Sequence, residues 1–145
     1  MAPADRLPVT SVLFACTHNA IRSPMAEAML KQLHGRRIYV DSVGVKTGEM
    51  DVFAATVMAE IGADLSRHRP KTFDDLEDTS YDLVVSLSPE AQHRAVELTR
   101  TMACEVEYWR IQDPSVVEGS REQRLDAYRQ VRDELRRRIA ERFGT

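Results

Sequence analysis

Apolar positions along this chain switch between two spacings. Val12, Leu13 and Phe14 form a short, nearly continuous apolar run over residues 11–15, the pattern of a strand buried on both faces. Polar residues Thr17, His18 and Asn19 break it, after which Met25, Ala26, Ala28, Met29, Leu30 and Leu33 follow a 3.6-residue period. Ser23 before Pro24 predicts an N-cap with proline at the first helical position, Glu27 follows within the first turns, and Gly35 is a natural stop. Ile38, Tyr39 and Val40 read as a second short strand running to a turn around Gly44 and Gly48, followed by a helix over 52–61 closed by Gly62. Residues 66–71 are polar and predict a loop with a turn of helix. Residues 81–87 (YDLVVSL) predict a third buried strand, 89–98 a helix opening on Pro89, and 104–109 a fourth strand before an irregular 110–120. Leu125, Tyr128, Val131, Leu135 and Ile139 then recur at helical spacing through a long amphipathic helix over about 121–143.

Strands alternating with helices predict an α/β fold: an open parallel sheet with helices on both faces. No repeat, low-complexity tract or linker interrupts it, so residues 1–145 are expected to form one domain, with 1–9 a flexible tail. At 145 residues and 43% hydrophobic composition, such a chain buries roughly 68–70% of its unfolded surface and needs no disulfide or structural metal. The net charge of −3 gives no electrostatic footprint for nucleic acid. Two cysteines, Cys16 and Cys104, are too few for a disulfide framework, and no Cys/His spacing resembles a zinc site. Neither a signal-peptide core nor a membrane-length apolar run is present. The expectation is a cytoplasmic protein with reduced thiols, no membrane or nucleic-acid partner, no metal and no cofactor. The Arg132, Arg136, Arg137 and Arg138 cluster complements the dipole of the last helix and reads as a solvated face.

In an open α/β sheet, ligands bind outside the carboxyl ends of the strands, near a helix N-terminus. The segment at that place is Cys16-Thr17-His18-Asn19-Ala20-Ile21-Arg22-Ser23, a C-x5-R-S loop running from strand to helix. Consecutive backbone N–H groups in such a loop point inward as a nest, and the helix dipole adds positive field. Arg22 can grip two oxygens of a tetrahedral anion at once, as lysine cannot. A thiol at the base of that bowl is favoured as its nucleophilic thiolate, placed for attack on phosphorus. C-x5-R alone occurs by chance, and a lone cysteine is usually a small buried hydrophobe. The strand-to-helix position and the Ser-Pro start favour the anion loop.

The stretch VLFACTHNAIRSPMAEAMLK is similar to the N-terminal signature of the low-molecular-weight protein tyrosine phosphatases and of the arsenate reductases that share their fold. The likeness extends through Asp41-Ser42 and Gly44, Leu65-Ser66-Arg67-His68-Arg69, Tyr81-Asp82-Leu83-Val84-Val85, Asp113-Pro114 and the closing helix. It implies a four-stranded sheet of order 2-1-3-4. It also implies Cys16 as nucleophile, Arg22 as phosphoryl ligand, Ser23 as donor to the sulfur, and Asp113 as general acid and base. Residues Thr17, His18, Asn19, Ala20 and Ile21 would line the substrate anion, and Ser42 and His68 would brace the loop through Asn19. Asn19 itself tolerates left-handed backbone better than most residues. Read without the likeness, Ser42 and His68 serve equally well as surface or cap residues, and Asp-Pro is a common turn dipeptide.

The resemblance leaves two activities open, because arsenate and phosphate are nearly isosteric. One implies a phosphorylated protein or small phosphomonoester as substrate; the other implies arsenate with an external thiol. A non-catalytic oxyanion-binding module is a third reading. One class of reductase carries two further cysteines after the third strand. Residues 85–90 here read VSLSPE, without cysteine, and Cys104 falls in a predicted buried strand. Phosphotyrosine-specific members place aromatic walls in the loop after the second strand and after the Asp-Pro pair. Here residues 45–50 and 115–117 hold none. Phe53 and Trp109 are candidates for a wall but read more naturally as core.

Overall fold

The structure, a computed structural model, describes residues 8–76 and 80–145, so most of the expected 1–9 tail lies outside the described residues. Of that segment, Val9 packs partly against the core. The chain folds as β1 (Ser11–Cys16), α1 (Arg22–His34), β2 (Tyr39–Gly44), α2 (Val52–Ala59), β3 (Leu83–Ser86), α3 (Pro89–Leu98), β4 (Glu105–Tyr108) and α4 (Arg121–Phe143). Single 3-10 turns at Phe73–Asp75 and Pro114–Val116 complete it. All strand pairings are parallel, in the order β2-β1-β3-β4. The chain leaves β1 toward β2 and later returns to its other side at β3. The carboxyl end of β1 is therefore the point where strand order reverses, and a crevice opens there.

The period of two along β1 divides the core. Val12, Phe14 and Cys16 face one side and pack with α1, α2 and α4 through Met25, Met29, Val57, Met58, Leu125, Tyr128 and Leu135. Leu13 and Ala15 face the other side, with Phe73, Tyr81, Val84, Ala91 and Ala95. Cys16 thus points toward the α1 and α4 face at the last position of its strand. The five apolar positions of α4 noted in the sequence are all buried.

Three local expectations change. Ser23 is not the N-cap of α1: the cap is Ile21, the helix starts at Arg22, and Ser23 sits in the first turn with its hydroxyl turned to Cys16. Because the helix has already begun at Arg22, the Ser23 hydroxyl lies inside the first turn and is spent on the sulfur rather than on a cap. Strand pairing of 81–87 is confined to Leu83–Ser86, and Cys104 lies just before β4, half-buried rather than within a buried strand. Among the C-terminal arginines, Arg132 is no solvated residue. It donates to Val57 O at 2.9 Å and to Glu60 at 2.7 Å, and with Arg129 it ties α4 to α2. The two guanidiniums hold the Glu60 carboxyl down at about 2.

Candidate active site

The loop from Cys16 to Ser23 is shaped by what binds its carbonyls. Val45 N–H donates to Cys16 O, Lys46 N–H to Thr17 O, Gly48 N–H to His18 O, and Asp51 N–H to Ala20 O. His68 Nε2 takes Asn19 O at 3.2 Å, and Met25 N–H takes Ile21 O. With the carbonyls turned outward, the amides face inward. The N–H groups of Thr17, His18, Asn19, Ala20 and Ile21 donate to no acceptor among the described residues. A row of inward amides without protein partners is suited to cradle an anion, because such groups demand an acceptor. The first turn of α1 adds its own free amides and its dipole.

Asn19 makes the curvature possible. It has φ of 54°, the one positive φ among the described non-glycine residues, and it is fully buried. Its amide uses its whole hydrogen-bonding capacity. Nδ2 donates to Ser23 Oγ at 2.8 Å and Ser42 Oγ at 2.9 Å, while Oδ1 accepts from Lys71 N–H and His68 Nε2, each at 3.0 Å. Ser42 in turn donates to Glu27, whose other oxygen is paired with Lys31. Since His68 Nε2 donates, its Nδ1 faces Glu27 at 3.8 Å. Burial pushes the His68 imidazole below its ordinary value, against the pull of Glu27. Gly44, at the end of β2, leaves no room for a side chain: a Cβ there would lie 2.6 Å from Asn19 N.

Cys16 Sγ lies 2.9 Å from Ser23 Oγ. Either atom can donate in this pair; the Ser23 hydroxyl also lies 3.3 Å from Val43 O, and Asn19 Nδ2 donates to its oxygen from behind. Arg22 is buried, and its Nη1 is anchored on Ile111 O at 2.9 Å, two residues before Asp113. Asp113 caps the 3-10 turn: Oδ1 accepts from Ser115 N–H and Oγ, while Oδ2 takes no hydrogen bond among the described residues.

These parts meet in a cleft of about 190 Å³ lined by Cys16, His18, Ala20, Ile21, Arg22, Gly48, Glu49, Asp51, Asp113 and Ser115. Thr17 is turned aside, its hydroxyl between Ser88 and Glu90 at 3.1 Å each. Asn19, Ser23, Ser42 and His68 lie behind the floor. The candidate walls do not reach the cleft. Trp109 packs on Phe14 and Phe143, and Phe53 meets Tyr128 edge-on beneath the Arg124 guanidinium. Four neighbours of the loop carry no marker in the sequence: Glu27, Lys71, Glu90, and Ile111 through its carbonyl. Only the Glu27 spacing, four residues beyond Ser23 on the same helix face, hints at its place.

Cys104 is too far from Cys16 to exchange with it. By strand register it lies about 16 Å back along the sheet and about 10 Å across it, so about 19 Å away. A disulfide needs Cα atoms within about 7 Å. Burial pushes the Cys104 thiol up from its ordinary value, away from thiolate. Among the described residues no group of three or more His, Cys, Asp or Glu side chains is placed to hold a metal ion, and no helix is long and apolar enough to cross a membrane.

A four-stranded parallel sheet of order 2-1-3-4, with a C-x5-R-S loop at its switch point, defines a low-molecular-weight phosphatase-like enzyme. The chain belongs to the low molecular weight phosphotyrosine protein phosphatase family, whose model matches residues 11–143. It is 34% identical over 128 residues to an arsenate reductase of Halalkalibacterium halodurans, covering 88% of this chain and 91% of that protein. It is 30% identical over 129 residues to a glutaredoxin arsenate reductase of Synechocystis, covering 88% and 92%. The solved low molecular weight protein tyrosine phosphatase from T. tengcongensis superposes with a TM-score of 0.73 at 28% identity, covering 91% of this chain and 96% of that one.

Proposed function

We propose that this protein is a cysteine-dependent phosphomonoesterase working through a cysteinyl-phosphate. The observation that carries the reading is the row of inward, partnerless amides around Cys16, closed on one side by Arg22 and facing Asp113 across one cleft. In the first step the Cys16 thiolate attacks phosphorus in line, forming the S–P bond as the P–O bond breaks. The loop amides and Arg22 hold the three equatorial oxygens, whose charge they match. Asp113 gives its proton to the departing oxygen. In the second step Asp113 takes a proton from water as that water attacks phosphorus. The S–P bond breaks, and Ser23 donates to the leaving sulfur. Cys16, Arg22, Asp113 and Ser23 act on the reacting atoms; Thr17 to Ile21 bind the anion through their backbone, and Ser42 and His68 position Asn19. The substrate is a phosphorylated protein or small phosphomonoester, met in the cytoplasm, and no step calls for a metal or cofactor.

A second reading draws on the arsenate reductases among the relatives. Cys16 would attack arsenate to form an S–As adduct, one As–O bond breaking and its oxygen leaving as water. An external thiol would then attack Cys16 Sγ, releasing arsenite and leaving a mixed disulfide that a second thiol reduces. The distance to Cys104 confines this route to thiols from outside the chain. One assay separates the readings: phosphate release from an aryl phosphate beside arsenite release from arsenate with added thiols, for wild type and Cys16→Ser. Thiol-independent phosphate release that vanishes in Cys16→Ser is the expected result. Arsenite formation without phosphatase turnover at any pH from about 5 to 8 overturns the first reading in favour of the second.

A further inference from the structure

The walls of the cleft differ in chemistry from its floor. Above the cradle stand three carboxyl groups, Glu49, Asp51 and Asp113, with His18 and Ser115 beside them and no Phe, Tyr or Trp ring. Asp51 is fixed in place: Oδ1 accepts from Ala54 N–H at 3.1 Å as the cap of α2, and Oδ2 from Tyr128 OH at 2.9 Å. Glu49 is exposed and has neither hydrogen bond nor ion pair among the described residues. The cation inside the cleft is Arg22, which the phosphoryl oxygens would neutralise. Among the nearby guanidiniums, Arg121 and Arg124 lie over the Phe53 ring, and Arg110 lines an adjoining depression with Arg22, Asp113 and Glu134.

From this arrangement we infer that the cleft selects phosphoryl substrates whose leaving group is positively charged, with Glu49 as a specificity-determining residue. The inference rests on the phosphatase reading and names the substrate class of that site. A neutral ring entering the cleft finds no Phe, Tyr or Trp face to stack on and removes water from carboxylates, a desolvation cost with little return. An anionic leaving group meets like charge from Glu49 and Asp51. An ammonium or guanidinium beyond the bridging oxygen replaces that lost water with charge-assisted contacts, and the unpaired Glu49 is free to swing onto it. Asp113 donates its proton to the leaving atom in either case, so cation selection falls to Glu49 and Asp51.

The test is a matched set of para-substituted aryl phosphates: 4-(aminomethyl)phenyl, 4-methylphenyl and 4-(carboxymethyl)phenyl phosphate. Each is assayed on wild type, Glu49→Gln and Glu49→Lys at low salt. Leaving-group acidity cancels when each kcat/KM ratio is divided by the same ratio in the variant. The expected cationic-to-anionic preference falls about three- to tenfold in Glu49→Gln, inverts in Glu49→Lys, and shrinks in wild type as salt is raised. Equal kcat/KM for the three esters, or ratios untouched by either substitution, overturns the inference and leaves the phosphatase reading standing. No hydrolysis of any of the three esters overturns both.

Discussion

The floor and the rim of the cleft are built in opposite ways. On the floor, Asn19 and Ser23 are fully buried, and every hydrogen-bonding group of the Asn19 side chain is engaged. On the rim, Glu49 has no partner among the described residues, and Val52 and Val116 stand 74% and 66% exposed. A floor held from all sides gives pre-organised electrostatics, which is where catalysis of acyl and phosphoryl transfer resides. A rim position held from no side among the described residues, as Glu49 is, can change at little cost to stability and is therefore free to set selectivity. Relatives with different activities on one fold fit this division, and so does the contrast between the invariant demands of a tetrahedral anion and the acidic walls above it.

Breaking the floor has the largest effects. Cys16→Ser removes the thiolate and is expected to abolish turnover while leaving the melting temperature near wild type. Arg22→Lys loses the fork that spans two oxygens and is expected to lower kcat about 10²–10³-fold in steady-state assays. Asp113→Ala comes next, lowering kcat about 10²–10⁴-fold for an alkyl or weakly acidic aryl ester. The loss should shrink with increasingly acidic phenols, so a plot of log kcat against leaving-group pKa steepens in the variant. Asn19→Ala strains φ and leaves Lys71 N–H without its acceptor, at a cost of about 1–3 kcal/mol read by denaturant unfolding, with a parallel fall in kcat. Gly44→Ala should act in the same direction, because the added Cβ presses on Asn19 N.

A smaller effect concerns pH. Burial lowers the folded-state pKa of His68, so between that value and the unfolded value of about 6.5 the unfolded chain binds more protons. Stability from this group is complete above about pH 6.5 and is lost as pH falls through that window. The unfolding midpoint should drop from pH 7 toward pH 5, and His68→Gln, which keeps a donor for Asn19, should flatten that slope. Rim substitutions such as Val116→Ser should move stability by no more than about 0.5 kcal/mol.

The same contrast explains what the sequence disclosed. The floor is written in eight consecutive residues, and the alternation of strands and helices that places it at the switch point gives that spacing its meaning. The long period of α4 and the Pro89 start of α3 are equally local signals, and both helices span the residues that signal marked. The rim joins residues 48–51 to 113–115, segments brought together only by the tertiary fold, and no pattern within either shows that they face one another. Ser23 misleads for a related reason: Ser-Pro is a capping signal, and a contact with Cys16 seven residues earlier outweighs it. Glu27, Lys71 and Glu90 carry no local signal of their contacts with Ser42, Asn19 (through the Lys71 N–H) and Thr17.

The central claim is that Cys16 becomes phosphorylated and is then hydrolysed. The most direct measurement mixes enzyme with a slight excess of a reactive aryl phosphate, quenches in acid within milliseconds and maps the phosphoryl group by mass spectrometry, in wild type and in Asp113→Ala. The account predicts a phosphoryl adduct on the peptide carrying Cys16, accumulating in Asp113→Ala where water activation is slowed, and absent from Cys16→Ser. Phenol release without any adduct on Cys16, or release that persists in Cys16→Ser, would contradict it.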